Sequence, residues 1–263
     1  MTTTELLVSA WDRGVLVPLL CLSALGAYGV KLRGRHDTRA LFFLAAVVLF
    51  FLALASPIGV LARGILFSAH MLQHLILVLA VPPLVLLALP RTADEAPVRP
   101  MEPLGTTGAW LAGVGAMWIW HARILCNAAA TIPWVQGFQT ASLLVMGLAF
   151  WRPIVASRHA DRLPPLAAML YLFAACVACT VLGILVTLSP VQVCTAYAHP
   201  SDTLGALPLL RDGWGLTCKA DQEIGGLLMW VPSCLVYAFA ILAALGRYYA
   251  EGRPAAVTAG GRR

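Results

Sequence analysis

The sequence predicts an all-α, polytopic membrane protein: a bundle of seven transmembrane helices with its N-terminus outside and its C-terminus in the cytoplasm. Three observations predict it. First, 60% of the 263 residues are hydrophobic and only 11% charged, with a mean hydropathy of +0.83. Soluble domains carry about 25% charged residues, so this chain has too little charge to coat a water-facing surface. Second, seven apolar stretches at about 14–30, 40–57, 65–90, 107–122, 134–151, 164–188 and 224–246 approach or exceed the roughly 20 residues that cross a hydrocarbon core as a helix. Helix is the only spanning form open to them singly, because a lone strand in lipid leaves its backbone groups unpaired. Third, the basic residues alternate. One set of loops holds 13 of the 18 Lys and Arg, from Lys31, Arg33, Arg35 and Arg39 to Arg247, Arg253, Arg262 and Arg263, and the other holds Arg13, Arg63, Arg123, Arg211 and Lys219. The positive-inside rule makes the richer set cytoplasmic. The net charge of +6 is then a topology signal, and no nucleic-acid partner is expected.

Taken in order, the first stretch follows MTTTELLVSAWD, which lacks a basic n-region and so reads as the approach to a first helix rather than a cleaved leader. The second is bounded by basic residues before and Pro57 after. The third contains SAHMLQHLILVLAVPPLVLLALP; Pro82 and Pro83 remove two backbone donors and are expected to bend it near mid-membrane, as a packing kink or as a hinge. The fourth ends in MWIWH, the fifth closes on GLAFWRPI, the sixth runs from Pro164 to Leu188, and the seventh opens on DQEIGGLLMWVP. Trp11, Trp120, Trp134, Trp214 and Trp230 are expected in an outer interfacial belt, and Trp151, Tyr248 and Tyr249 in an inner one. No 20–50-residue repeat is visible and no soluble domain is appended, so residues 1–263 read as one integral membrane domain.

Polar groups within apolar spans mark functional candidates. His70 and His74 are four residues apart and share a helix face, with Met71 beside it. Two imidazoles and a thioether suit a soft metal, copper in particular; the alternative is interhelical hydrogen bonding. The predicted topology sets His121, Gln136, Gln139, Asp221, Gln222 and Met229 at the same outer level. His70, Met71, His74, His121 and Met229 are therefore the expected metal ligands, with Asp221 and Gln222 behind them, Asp221 orienting an imidazole. Cys194 and Cys218 share the long outer loop 189–223, in an oxidising compartment where a disulfide is expected. Closing that loop contributes roughly 3 kcal/mol in the chain-entropy model; the rival reading makes one of the pair, with His199, a copper ligand. Cys21, Cys126, Cys176, Cys179 and Cys234 fit small buried hydrophobes. No phosphate loop or nucleophile elbow occurs, and the spans lack the acidic residues of a proton pathway.

The runs SAHMLQHLILVLAVPPLVLLALP, MWIWH, GLAFWRPI and DQEIGGLLMWVP together resemble the CtaG-type family of bacterial membrane proteins, assembly factors for copper-containing cytochrome c oxidases. The resemblance covers about residues 10–245. It implies a non-enzymatic protein of the bacterial inner membrane that handles Cu(I) during oxidase maturation, with oxidase subunits or other copper chaperones as partners. Carried over by motif, the family's histidine positions fall on His70, His74 and His121, and its last motif on Asp221, Gln222 and Met229. Where relatives carry His-x-x-Glu-His early in the fifth helix, this chain has Gln136, Gln139 and Thr140, which are poor copper ligands. Two other functions stay open at this point: a metal-free chaperone for immature oxidase subunits, and a copper or small-solute permease.

Overall fold

A computed structural model describes residues 1–32, 38–89, 103–155 and 162–252, with no strand among them. Arg33, Arg35, Arg91, Arg99, Arg158, Arg253, Arg262 and Arg263, which carry much of the predicted charge asymmetry, lie outside the described residues. In chain order the helices are α1 (Thr3–Ser9), α2 (Leu16–Leu32), α3 (Thr38–Ala55), α4 (Pro57–Leu61), α5 (Phe67–Leu75), α6 (Val81–Ala88), α7 (Pro103–Trp120), α8 (Arg123–Thr131), α9 (Pro133–Val155), α10 (Pro165–Leu188) and α11 (Cys218–Gly252). A π-helical turn, Ile76–Ala80, joins α5 to α6 into one rod. Among the described residues five segments are long and apolar enough to cross a membrane: Thr38–Ala55, Phe67–Ala88, Pro133–Val155, Pro165–Leu188 and Cys218–Glu251. The apolar Leu16–Val30 part of α2 is shorter.

The rod α5–α6 runs through the centre, packed on α3, α9 and α11, while α10 lies along α11 and α7 along α9. Large apolar side chains such as Leu22, Leu170, Phe173, Leu235 and Phe239 point outward and stay exposed, which is the arrangement expected of a surface that faces acyl chains. The packing of α10 on α11 depends on glycine. A Cβ on Gly226 would lie 2.8 Å from the Thr187 backbone nitrogen, and one on Gly183 would lie 2.7 Å from Trp230 Cβ, so the two backbones approach as closely as small residues permit.

At the proline pair the hydrogen bonding of the rod changes. In an α-helix residues 82 and 83 would donate to Val78 and Leu79, and neither proline can. The backbone widens into the π turn immediately before them, and the indole Nε1 of Trp151 donates to Val78 O at 2.9 Å. Gly147 makes room for this bulge, because a Cβ there would meet Pro82 Cγ at 2.8 Å. Trp151 therefore does not belong to an interfacial belt: it is buried and held inside by its bond to the Val78 carbonyl. Trp120 is likewise buried and donates to Ser142 Oγ at 2.9 Å. Trp11, Trp134 and Trp214 are exposed.

One end of the bundle is covered by short elements. Leu6 and Ala10 of the N-terminal segment pack with Leu61, Ile65, Leu66, Ala206 and Leu210 in a small cluster of their own. This lid lies over the start of α5. Helix α8, nine residues long, is too short to span and occupies what the sequence presents as a loop between the fourth and fifth stretches.

Candidate functional site

Helix α5 begins without a capping side chain of its own, so its first N–H groups need an acceptor from elsewhere. Asp221, in the first turn of α11, supplies it. Its Oδ2 accepts from Phe67 N at 2.8 Å and its Oδ1 from Ser68 N at 3.0 Å and Ser68 Oγ at 2.6 Å. A carboxylate there also suits the positive end of the helix dipole. Both oxygens are thus spent on α5, which corrects the expectation that Asp221 orients an imidazole: it positions the helix that bears two of them.

Gln222 is corrected in the same way. Its Oε1 accepts from Val193 N at 2.8 Å, and its Nε2 donates to Val191 O at 3.1 Å and Val186 O at 3.3 Å, so it ties the long loop to the end of α10. Gly225 completes this docking face, since a Cβ there would lie 2.5 Å from the Phe67 ring and 3.1 Å from Met71 Cγ. Gln73, between the ligand candidates, turns away and donates to Ala53 O on α3 at 2.8 Å.

With α5 fixed at its start and along its length, the imidazoles fall into a row. The ring centroids of His70 and His74 are 4.2 Å apart and those of His74 and His121 are 5.7 Å apart. All three side chains are buried. His121 Nδ1 donates to Met117 O at 2.6 Å, and its Nε2 faces Met71 Sδ at 3.2 Å. A carbonyl can only accept, so in the neutral ring Nδ1 carries the proton and Nε2 presents a lone pair to the thioether. Two donor atoms then face each other with no proton between them. A backbone carbonyl that fixes the tautomer in this way is the usual companion of a metal-bound histidine.

Both nitrogens of His70 and both of His74 are buried without a hydrogen bond of good geometry, the Gln139 amide lying beside the His74 ring. Interhelical glue would pair them, because an unmet buried polar group costs about 1–3 kcal/mol. The arrangement is open: among the described residues no three His, Cys, Asp or Glu side chains converge as a metal cluster, so a bound ion would have few ligands and the Met71 sulfur among them. Met229 is buried in the same core, one turn beyond Gly225 on α11.

Gln136, Gln139 and Thr140 divide between two surroundings. Gln139 is buried beside His74. Gln136 and Thr140 instead line a neighbouring cavity of about 850 Å³, together with Asp12, Arg63, Gln73 and His199. His199 is exposed on that wall and is not in the imidazole row.

The Arg63 guanidinium donates to the Asp12 carboxylate at the cavity rim, and this bond, with a further one from Gly14 N, holds the Asp12 carboxyl below the usual carboxylate range. A carboxyl lowered on folding stabilises the fold above its ordinary value and loses that contribution as pH falls. The pair is partly exposed, so its worth is below about 1 kcal/mol. Thermal midpoints in detergent are expected to separate wild type from Asp12→Asn slightly at pH 7, with the gap closing as pH falls below about 4.

Cys194 and Cys218 are both free, so the expected disulfide between them is not formed in this structure. Cys218 Sγ points to Ala198 O at 3.6 Å and Cys194 Sγ to Asn127 Oδ1 at 3.5 Å. The loop is held by other means: Asn127 Oδ1 also accepts from Ala196 N at 2.8 Å, and Tyr197, buried against Phe67 and His70, donates to Ala62 O at 2.8 Å.

Fold and site together define a class: a multi-pass helical membrane protein with a buried histidine and methionine row beneath one capped end. Residues 24–251 match the cytochrome c oxidase caa3 assembly factor family, Caa3_CtaG. The chain belongs to that family. No curated protein and no solved structure gives a significant match.

Proposed function

We propose that this assembly factor is a seven-span protein of the bacterial inner membrane, N-terminus outside and C-terminus in the cytoplasm, that holds Cu(I) transiently beneath its outer end and passes it to an oxidase subunit. The observation that carries this reading is the set of four buried ring nitrogens on His70 and His74 that lack a hydrogen bond of good geometry. His121 Nε2 and Met71 Sδ add a nitrogen and a sulfur donor 3.2 Å apart. Soft and borderline donors of this kind select Cu(I) over hard cations, and copper here is cargo rather than a resident cofactor. A carrier must release what it binds, which an open row of few ligands allows. Asp221 and Gln222 keep the row in register by fixing α5 and the loop above it. Gln139 lies beside His74 but is a poor ligand itself, so an ion held in this row is bound by fewer than three imidazoles at a time, with the Met71 thioether as a soft partner.

The test is copper content. Purified in detergent, loaded with Cu(I) under a non-thiol reductant and desalted, the wild type is expected to retain copper, and His70→Ala with His74→Ala to lose at least about tenfold in affinity, the order found when metal-site partners are removed. Equal Trp-fluorescence melting midpoints for the two proteins would show that the loss is local. A wild type that retains no copper would overturn the reading in favour of a metal-free chaperone, and copper uptake by vesicles containing the protein would favour a permease.

A further inference from the structure

Two thiols that the sequence presents as packing residues face each other across the seam between α10 and α11. Cys176 donates its S–H to Cys234 Sγ at 3.1 Å, and Thr180 Oγ1, one turn along α10, lies 3.1 Å from the same sulfur. The register of the two helices produces this meeting. Thr187 lies against Gly226 and Gly183 against Trp230, so four residues back along α10 match four forward along α11, and the next step brings Thr180 and Cys176 to Cys234. Cys179 stands three residues from Cys176 but turns to Tyr237, whose hydroxyl oxygen is 3.8 Å from its sulfur.

The pair lies at the depth of the acyl chains. Cys176 is near the middle of the span Pro165–Leu188, about 17 Å along the helix from either end, which is the centre of a hydrocarbon core about 30 Å thick. Both thiols are partly exposed, and Phe173, Val177 and Leu235 beside them point outward. A disulfide requires its sulfurs at about 2.0 Å and its Cα atoms within about 7 Å. The glycines hold the two backbones close, and turning the two side chains closes the remaining gap of about 1 Å.

We propose that Cys176 and Cys234 are a redox site within the bilayer, a dithiol that a lipid-soluble quinone oxidises to a disulfide joining α10 to α11. The class of oxidant follows from the depth. A charged oxidant stays in water, whereas a quinone dissolves among acyl chains and takes up two electrons with two protons, which is what a dithiol gives up. Two S–H bonds break and one S–S bond forms, while the electrons and protons pass to the quinone, whose two carbonyl oxygens become the hydroxyls of a quinol. The Thr180 hydroxyl donates to Cys234 Sγ as its proton leaves, which favours the reactive thiolate. The new bond joins residues 58 positions apart, and the loop it closes contains residues 189–223 and Asp221, so oxidation restrains the capped end of the bundle. This site does not depend on the copper reading.

The experiment uses the full chain in phospholipid nanodiscs under argon, reduced with a phosphine and then freed of it. The probe is a fully substituted benzoquinone, which offers thiols no ring hydrogen to displace by addition. Wild type is expected to form one quinol per chain by ultraviolet absorbance, to show a Cys176–Cys234 crosslink by mass spectrometry, and to melt at a higher temperature than before oxidation. Cys176→Ala and Cys234→Ala are each expected to lose the quinol and the crosslink while keeping the melting midpoint of the reduced wild type. Ferricyanide, charged and confined to water, is expected to leave the pair reduced. A wild type that gives no Cys176–Cys234 crosslink with the quinone overturns the inference, and this result stands whether or not the alanine variants fold. Alanine variants that form as much quinol as wild type overturn it too, since another thiol pair would then be the donor. Crosslinking by ferricyanide at the quinone's rate would overturn the route through lipid.

Discussion

Asp221→Ala is expected to destabilise the bundle by about 3 kcal/mol, read as a drop of several degrees in the thermal midpoint in detergent. The carboxylate is buried and meets two backbone N–H groups and one hydroxyl at the start of α5. Hydrogen bonds to a charged acceptor contribute about 1.5–3 kcal/mol, and a donor left buried without a partner costs about 1–3 kcal/mol. Ser68, which is only partly buried, can turn its hydroxyl to water, so the loss comes chiefly from the two amides. Asp221→Asn keeps one acceptor oxygen but sets an NH2 against an N–H, and is expected to fall between wild type and alanine. The measurement also separates two roles. If Asp221 tuned an imidazole, its replacement would weaken copper binding at constant stability. If it caps α5, stability falls first, and copper binding weakens only as the row loses its register. A midpoint within about one degree of wild type would exclude the cap.

That contrast shows where reading the sequence stops. Apolar runs are long and nearly free of charge, so their helices are legible: the predicted 40–57, 134–151 and 164–188 are found as Thr38–Ala55, Pro133–Val155 and Pro165–Leu188. Spacing also singles out His70, Met71 and His74, and predicted depth adds His121, because polar residues within the spans of so apolar a chain are few. Partners across the fold were not legible. Asp221 and Gln222 lie in a motif with Met229, and nothing in the spacing tells that they bind the backbone of α5 and of a loop. Cys194 and Cys218 pair on the sequence because both sit in one loop, whereas folding brings α8 and its Asn127 to Cys194. Nor does composition distinguish an interfacial tryptophan from one that serves a carbonyl. Trp134 is 74% exposed and Trp151 only 2%, and both stand near the end of an apolar run.

Trp151→Phe is expected to cost about 2 kcal/mol, and the cost is expected to depend on Pro82. Proline at 82 deprives Val78 O of its helical donor, and the Trp151 indole replaces it. Inside a bilayer no water can stand in, so a carbonyl left bare bears the full penalty of about 1–3 kcal/mol. Phenylalanine keeps an aromatic ring in contact with Phe150 and Tyr237 but carries no N–H. Pro82→Ala restores a backbone donor within reach of Val78, so in that background Trp151→Phe should cost less than about 1 kcal/mol, the remainder reflecting the smaller ring. The coupling between the two substitutions, measured as a double-mutant cycle on thermal or denaturant unfolding, is the quantity of interest. Equal losses in both backgrounds would mean that Trp151 acts through packing alone. A positive coupling would mean that the π turn under His70 and His74 is sustained by a side chain from α9, and that proline, tryptophan and Gly147, which leaves room for the bulge, act as one unit.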